Sequence, residues 1–280
     1  MEVIRTVTEM TVAARRLKAL GETTGFVPTM GYLHEGHLSL VRLSKKGASS
    51  TILSIFVNPT QFGPKEDLEK YPRDTEGDLE KCRSEDVDIV FMPEPGDMYP
   101  AGYGTYITVD GITSNLCGRS RPGHFKGVAT VVAKLFNIAQ PDKAYFGQKD
   151  FQQTVVIRRM VRDLNMAAEI VVGPTLREPD GLAMSSRNAY LKPDERRAAP
   201  ALYQALESAR LRCEEGGVST DLLTAQILEK LRKEPLIEPE YVEVVSPENL
   251  EPLSHTGGGA VIAAAVRIGV TRLIDNIIIS

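Results

Sequence analysis

Two histidines near the start of the chain stand where the sequence pattern changes from strand to helix. Phe26 to Thr29 is apolar and extended, and a turn with Gly31 leads to His34 and His37. The free N–H groups at a helix start attract anions, and an imidazole can add a hydrogen bond or a charge. The spacing therefore predicts a phosphate-binding site. The alternative is a pair of structural polar residues.

A second strand-to-helix junction carries a lysine. Asp142 to Phe146 is a predicted strand, and a helix through Leu164 follows Gly147, Lys149 and Asp150. Asp150 is suited to cap the helix, and Lys149 beside the helix start could meet phosphate oxygens. An exposed lysine with no ligand is the alternative.

Other polar groups follow predicted strands or form loops. Asn58 and Gln61 come after the apolar run from Thr51 to Val57, where side chains can face a ligand, although Asn-Pro also forms simple turns. Ser185, Ser186 and Arg187 make a compact anion-binding group. The basic run from Gly118 to Gly127 is either a solvated turn or a functional loop.

The order of elements indicates an α/β fold. Buried, nearly continuous apolar runs alternate with helical patterns up to about residue 176, as in a parallel sheet covered on both faces. Beyond Leu191 the pattern predicts a helix from Asp194 to about Glu215, another helix, and short strands. We therefore expect a larger domain at residues 1–176 and a smaller α+β domain at residues 177–280. Tyr106 to Val109 is predicted to be a short strand.

Composition excludes several classes of partner. A net charge of -4 gives no general attraction to nucleic acid or anionic membranes. The three cysteines are far apart and lack metal-ligand spacing, which favours a reducing cytoplasm. The first residues lack a signal-peptide pattern, and the apolar tail is interrupted by Arg267, Arg272 and Asp275, so we expect no membrane span.

Separated motifs resemble the pantothenate synthetase family. They are Pro28-Thr-Met-Gly-Tyr-Leu-His-Glu-Gly-His-Leu-Ser-Leu40, Asn58-Pro-Thr-Gln-Phe62, Arg121-Pro-Gly-His-Phe125, Phe146-Gly-Gln-Lys-Asp-Phe-Gln-Gln153 and Met184-Ser-Ser-Arg-Asn188. The first and last also resemble the paired motifs of class I tRNA-charging enzymes. The lysines of the second tRNA-charging motif are replaced here, which argues against that class.

The resemblance implies roles for individual residues. Catalytic roles fall to His34, His37, Lys149 and Arg187, with His37 as the proton donor. The residues implied in ATP binding are Met30, Gly31, Tyr32, Leu33, His34, Glu35, Gly36, His37, Gly147, Gln148, Lys149, Asp150, Leu176, Met184, Ser185, Ser186 and Arg187. Gln61, Gln153 and Asn58 are implied in binding pantoate and β-alanine. Asp78 is an indirect partner of magnesium, and the Arg121 to Phe125 loop has a structural or gating role.

The resemblance further implies a Rossmann-like domain with a small α+β lid, a homodimer, and a requirement for Mg²⁺. The implied reaction joins pantoate to β-alanine with conversion of ATP to AMP and pyrophosphate. Two other functions remain open at this stage: a different nucleotidyltransferase of the His-x-Gly-His superfamily, and a binding module that senses ATP without turnover.

Overall fold

The computed structural model describes residues 1–64, 66–214 and 216–279, and the chain forms two compact units. The first unit comprises Met1–Gly111, Arg121–Gly147 and Val156–Pro174. The second comprises Ile112–Ser120, Gln148–Val155 and Thr175–Ser280. Two segments before residue 176 thus group with the second unit. The expected domain division at residue 176 stays a prediction.

The strands are β1 (Glu2–Ile4), β2 (Thr24–Thr29), β3 (Ser50–Ile55), β4 (Ile89–Phe91), β5 (Lys143–Gly147), β6 (Glu169–Gly173), β7 (Ile237–Val245), β8 (Ala260–Ile268) and β9 (Thr271–Ile279). The helices are α1 (Val7–Ala19), α2 (Glu35–Gly47), α3 (Thr75–Ser84), α4 (Pro95–Met98), α5 (Leu116–Ser120), α6 (His124–Ala139), α7 (Phe151–Asp163), α8 (Pro193–Ala198), α9 (Ala201–Cys213) and α10 (Thr220–Arg232).

A parallel sheet in the order β1-β4-β3-β2-β5-β6 forms the first unit. Its central strands are buried on both faces, which explains their continuous apolar sequences. Helix α2 packs on β2, β3, β5 and β6. The expected Rossmann-like parallel sheet is confirmed.

The strand order reverses direction between β2 and β5. From β2 the chain moves outward through β3 and β4, and it then returns to the other side of β2 to form β5 and β6. Ligands of open α/β sheets bind outside the carboxyl ends of strands at such a reversal. The histidines follow β2 and Gly147 ends β5, so both candidate segments of the sequence begin at this point.

The second unit contains an antiparallel sheet in the order β7-β8-β9. Strand β8 is central and buried along nearly its whole length, and α9 and α10 cover the sheet with residues such as Leu206 and Ile227. The expected smaller α+β part is therefore confirmed.

Two expectations about individual elements are wrong. The segment from Tyr106 to Val109 is not a strand, because the Ile107 N–H donates to the side-chain Oγ1 of Thr130 (2.9 Å) and the segment pairs with none of the described strands. The helix expected from Asp194 is divided into α8 and α9 at Pro200, which lacks an N–H and restricts the residue before it. The expected end of that helix, Glu215, lies outside the described residues.

Strand β1 was not predicted, because its three residues are too few to show a sequence pattern. It pairs in parallel with β4.

Across the described ranges, every helix is too short or too polar to cross a bilayer.

Helix α6 approaches the 3₁₀ helix Pro59–Gln61 at a glycine. A β-carbon on Gly127 would lie 2.3 Å from the carbonyl oxygen of Thr60. We predict that Gly127→Ala lowers the free energy of unfolding by about 1–3 kcal/mol in urea titrations. Gly96→Ala is the control, because a β-carbon there meets nothing within 4 Å. Equal stability of the two variants would contradict the close approach.

Candidate active site

The turn after β2 is built from two residues with left-handed backbone. Gly31 has φ 81° and Tyr32 has φ 50°. Thr29 begins the turn, since its hydroxyl accepts the Gly31 N–H (3.2 Å) and donates to the Ser54 carbonyl (2.7 Å) on β3. Tyr32 is the strained residue of the pair, because a side chain disfavours positive φ. The turn must therefore be held by contacts outside itself.

Asp78 on α3 supplies those contacts. Its two carboxylate oxygens accept the N–H groups of Tyr32 (2.8 Å) and Leu33 (2.6 Å), and Lys81 donates to the Leu33 carbonyl (2.8 Å). Asp78 is only 1% exposed. Burial raises the pKa of Asp78, and the hydrogen bonds from Leu33 and Tyr32 oppose that rise. The carboxylate therefore fixes the path of the chain into α2.

The two histidines are fixed by backbone donors at the start of α2. The Gly36 N–H donates to Nδ1 of His34 (3.1 Å), and the His34 N–H donates to Nδ1 of His37 (3.2 Å). The ring centroids are 4.1 Å apart. An Nδ1 that accepts an N–H cannot carry a proton, so each neutral ring carries its proton on Nε2. Both rings are thus prepared to donate from Nε2.

Position at a helix start adds to this donor character. Helix α2 runs for 13 residues, and His34 is its N-cap. The backbone dipoles of a helix place partial positive charge at this end. A phosphate there would meet the helix end and two imidazole donors together, which is the combination that the sequence predicted.

Gln61 is held at its side chain by Asn58. Nδ2 of Asn58 donates to Oε1 of Gln61 (3.1 Å) and to the Gly127 carbonyl (3.2 Å), and Gln61 Nε2 lies 3.0 Å from the Met30 sulfur. Oδ1 of Asn58 accepts from the Tyr99 hydroxyl at 2.8 Å. Asn58 is 1% exposed and well supplied with partners. These contacts suit an amide that orients Gln61.

The basic loop before α6 holds the backbone of the same glutamine. Nδ1 of His124 lies 2.9 Å from the Gln61 carbonyl, and Nε2 lies 3.0 Å from Nη1 of Arg121. Because arginine only donates, Nε2 accepts and Nδ1–H is the donor to Gln61. The loop thus holds the backbone of Gln61, and its expected structural or gating role stays a prediction.

Glu66 completes this loop. It accepts two bonds from Arg121, at 2.7 and 2.6 Å. Burial pushes the pKa of Glu66 upward, but the hydrogen bond and charge of Arg121 outweigh it, and the pKa lies below its ordinary 4.5. The ion pair therefore stabilises the loop above that pH and weakens as the pH falls through the lowered pKa.

A cavity of about 450 Å³ opens beside the turn, at the carboxyl ends of β2, β3 and β4. Met30, Gly31, Tyr32 and Asp78 line it on one side. Its other charged lining residues have both signs and are Arg5, Arg73, Asp74 and Glu94. Guanidinium groups and carboxylates therefore both line the cavity close to the turn.

The second unit carries the remaining predicted ATP-binding residues apart from Gly147. Gln148–Asp150 form a 3₁₀ turn, and Lys149 Nζ lies 3.7 Å from Oδ2 of Asp150. The Met184 N–H donates to the Leu176 carbonyl (3.0 Å), which brings those two residues together. Ser185 caps the following 3₁₀ helix Ser186–Tyr190 by accepting the Arg187 N–H (3.3 Å). Gln153 lies half-buried in α7.

Sequence reasoning missed the residues that support these side chains. Nothing in the sequence pattern marks Tyr99 or Gly127, because their roles depend on contacts between distant segments. The sequence marks the basic loop, but it does not indicate that the loop contacts the carbonyl of Gln61. The assigned roles of the individual site residues stay predictions, and the contacts above show how the fold holds them.

Known proteins resemble this chain over its whole length. The sequence model of the family described as pantoate-beta-alanine ligase matches residues 2–278. The chain belongs to that family. A pantothenate synthetase of Chloroflexus aggregans is 55% identical over 277 residues, covering 99% of both chains. One from Acetivibrio thermocellus is 51% identical over 279 residues, covering 100% of this chain and 99% of the relative.

Solved structures of the ligase family agree with the fold. The pantothenate synthetase of Thermus thermophilus has a TM-score of 0.94 at 47% identity and covers 99% of both chains. The ligase of Francisella tularensis, complexed with beta-gamma ATP and β-alanine, has a TM-score of 0.83 at 35% identity, with coverage of 99% of this chain and 97% of that one. The resemblance inferred from the motifs is confirmed.

We predict that Asp78→Asn destabilises the turn in this ligase. The new NH₂ group would face a backbone N–H, so one buried donor would lose its acceptor, at a cost of about 1–3 kcal/mol in the free energy of unfolding. Urea titration measures the change. Glu80→Gln, an exposed carboxylate on the same helix, is the control and should change stability by less than about 0.5 kcal/mol. A harmless Asp78→Asn would refute the assigned role.

Proposed function

We propose that this chain catalyses the ATP-dependent condensation of pantoate with β-alanine, giving pantothenate, AMP and pyrophosphate. The observation that carries the proposal is the family match over residues 2–278. The two Nε2 donors at the start of α2 support it, because they suit the charge that phosphate chemistry develops. A nucleotidyltransferase that makes no amide lacks comparable support.

The first step has to activate a carboxylate, which is a poor acyl donor. A pantoate oxygen attacks the α-phosphorus of ATP, the bond to the β-phosphate oxygen breaks, and pyrophosphate leaves. Negative charge accumulates on the leaving group. His34, His37, Lys149 and Arg187 are the donors that we assign to this charge, with His37 as the proton donor. Their contribution is electrostatic positioning.

Substrate orientation falls to neutral amides. Gln61 and Gln153 can hold the hydroxyl and carboxyl groups of pantoate without neutralising the oxygen that attacks. Asn58 acts on Gln61 through the hydrogen bond described above. In the second step the free amine of β-alanine attacks the pantoyl carbonyl, and AMP leaves.

Close ligand approach also accounts for Gly147. A β-carbon added there would meet no heavy atom within 4 Å, so the described protein does not itself require glycine. A nucleotide that approaches the backbone at the end of β5 would require it. The remaining ATP contacts are assigned to Gln148, Asp150, Leu176 and Met184–Ser186.

Magnesium enters this scheme with ATP. Among the described residues, no group of three or more His, Cys, Asp or Glu side chains could hold a metal ion by itself. Mg²⁺ is usually bound through substrate phosphates with one or two carboxylates, and the chain does not need a cage for that mode. Bound there, the ion would neutralise phosphate charge. Asp78 acts indirectly, by holding the turn.

We also propose a homodimer in the cytoplasm. The three cysteines are free thiols, as expected in a reducing compartment. Light scattering coupled to gel filtration would test the dimer directly.

Pyrophosphate exchange tests the order of the two steps. If pantoyl adenylate forms before the amine enters, labelled pyrophosphate should exchange into ATP when pantoate is present alone. No exchange should occur with β-alanine alone. A strict need for β-alanine, or recovery of a pantoyl- or adenylyl-protein after denaturation, would overturn the mechanism.

His34→Ala and His37→Ala should each slow the exchange, since each removes one preorganised donor. The expected loss of transition-state stabilisation is about 2–4 kcal/mol. Circular dichroism should show that both variants remain folded. His255→Ala is the control, because His255 is exposed and lies outside the predicted site. Wild-type exchange at saturating substrate in either test variant would show that its histidine lacks the assigned role.

A further inference from the structure

The last strand of the chain holds the turn that carries Lys149. Nδ2 of Asn276 donates to the carbonyl oxygens of Gln148 (3.0 Å) and Lys149 (2.9 Å), and its Oδ1 lies 3.3 Å from Nε2 of Gln148. Asn276 is 2% exposed. The NH₂ group of the Asn276 amide therefore donates to both residues of the turn, and its oxygen accepts from one of them.

The neighbouring residue on β9 holds a second segment of the same unit. Asp275 accepts two bonds from Arg177, at 2.6 and 3.0 Å, and accepts the Asn276 N–H at 2.8 Å. Arg177 also forms an isolated antiparallel bridge with Ala183. Leu176 and Met184, which flank that bridge, are both assigned to ATP. Two adjacent side chains of β9 thus support two segments with predicted nucleotide contacts.

We propose that Asn276 is a positioning residue for ATP, which acts by holding the backbone of Gln148 and Lys149 so that the lysine ammonium is directed at phosphate. The proposal rests on the proposed function, because it assumes that Lys149 binds ATP. Asn276 is buried and its side-chain amide bonds to the turn, so it acts through Lys149 and is not a catalytic residue.

The chemistry of the amide explains why this position needs asparagine. Aspartate has nearly the same shape but, when ionised, only accepts, and its oxygen would then face two carbonyl oxygens. Alanine would leave both carbonyls without this donor. In either variant the two carbonyls lose the bonds from the amide, and the lysine on the turn can move. A displacement of about 1 Å in a positioning group can reduce activity by up to about 100-fold.

The test measures ATP affinity separately from turnover. Asn276→Ala should raise the Kd of Mg·ATP, measured by calorimetry without pantoate, by about 10- to 100-fold. The kcat/KM for β-alanine, measured at saturating ATP and pantoate, should stay unchanged, since the amine enters after this step. Asn276→Asp should show the same split, and it decides the test if Asn276→Ala does not fold. Wild-type ATP affinity in a folded variant would overturn the proposal.

A double-mutant cycle tests whether Asn276 acts through Lys149. Lys149→Met removes the ammonium, so adding Asn276→Ala to it should weaken ATP binding by a smaller factor than Asn276→Ala does in the wild type. Effects that multiply in the double variant would show independent action and overturn the proposal. Thr271→Val is the matched control, because Thr271 is equally buried on β9 and its hydroxyl has no hydrogen-bond partner among the described residues. It should bind ATP like the wild type.

The two proposals fail in different ways. If the wild-type protein binds Mg·ATP but shows no pantoate-dependent pyrophosphate exchange, the proposed function is wrong, and the binding cycle still decides the role of Asn276. If exchange is normal and Asn276→Ala keeps full ATP affinity, the positioning role alone is wrong.

Discussion

The site in the first unit depends on one buried carboxylate. Asp78 accepts the N–H groups of Tyr32 and Leu33, and those two bonds hold a turn that includes a strained left-handed tyrosine. The turn sets where α2 begins, and the start of α2 sets which backbone N–H groups meet the two histidines. Without Asp78, the backbone would be free to leave the strained conformation, and both imidazoles would lose the donors that fix their protonated nitrogen.

The same design recurs around the other predicted functional groups. Gln61 is held through its carbonyl by His124 and through its side chain by Asn58. The Lys149 turn is held through its carbonyls by Asn276. In each case a neighbouring side chain bonds to the functional residue itself, either to its backbone or to its side chain. This arrangement orients the functional groups, which suits a reaction that proceeds by positioning and electrostatics.

The sequence was sufficient to predict the class of fold and the family, because both depend on local patterns. Buried parallel strands show as apolar runs, and the His34 and His37 motif is continuous in the chain. The supporting residues could not be predicted in this way. Asn276 lies far along the chain from Lys149, and its role exists only after β9 has paired with β8. The sequence contains Pro200, but the helical periodicity continues on both sides of it and therefore predicted one helix instead of α8 and α9.

Backbone N–H groups donate to Nδ1 of His34 and His37, so a single proton on either ring lies on Nε2. Nitrogen-15 NMR of protein labelled at its four histidines measures this directly, since the two ring nitrogens differ in chemical shift when one carries the proton. We predict protonated Nε2 and unprotonated Nδ1 for His34 and His37 at neutral pH. We predict the opposite form for His124, whose Nδ1 donates to Gln61. Single substitutions of each histidine would assign the signals. Protonated Nδ1 at His34 or His37 would contradict the account.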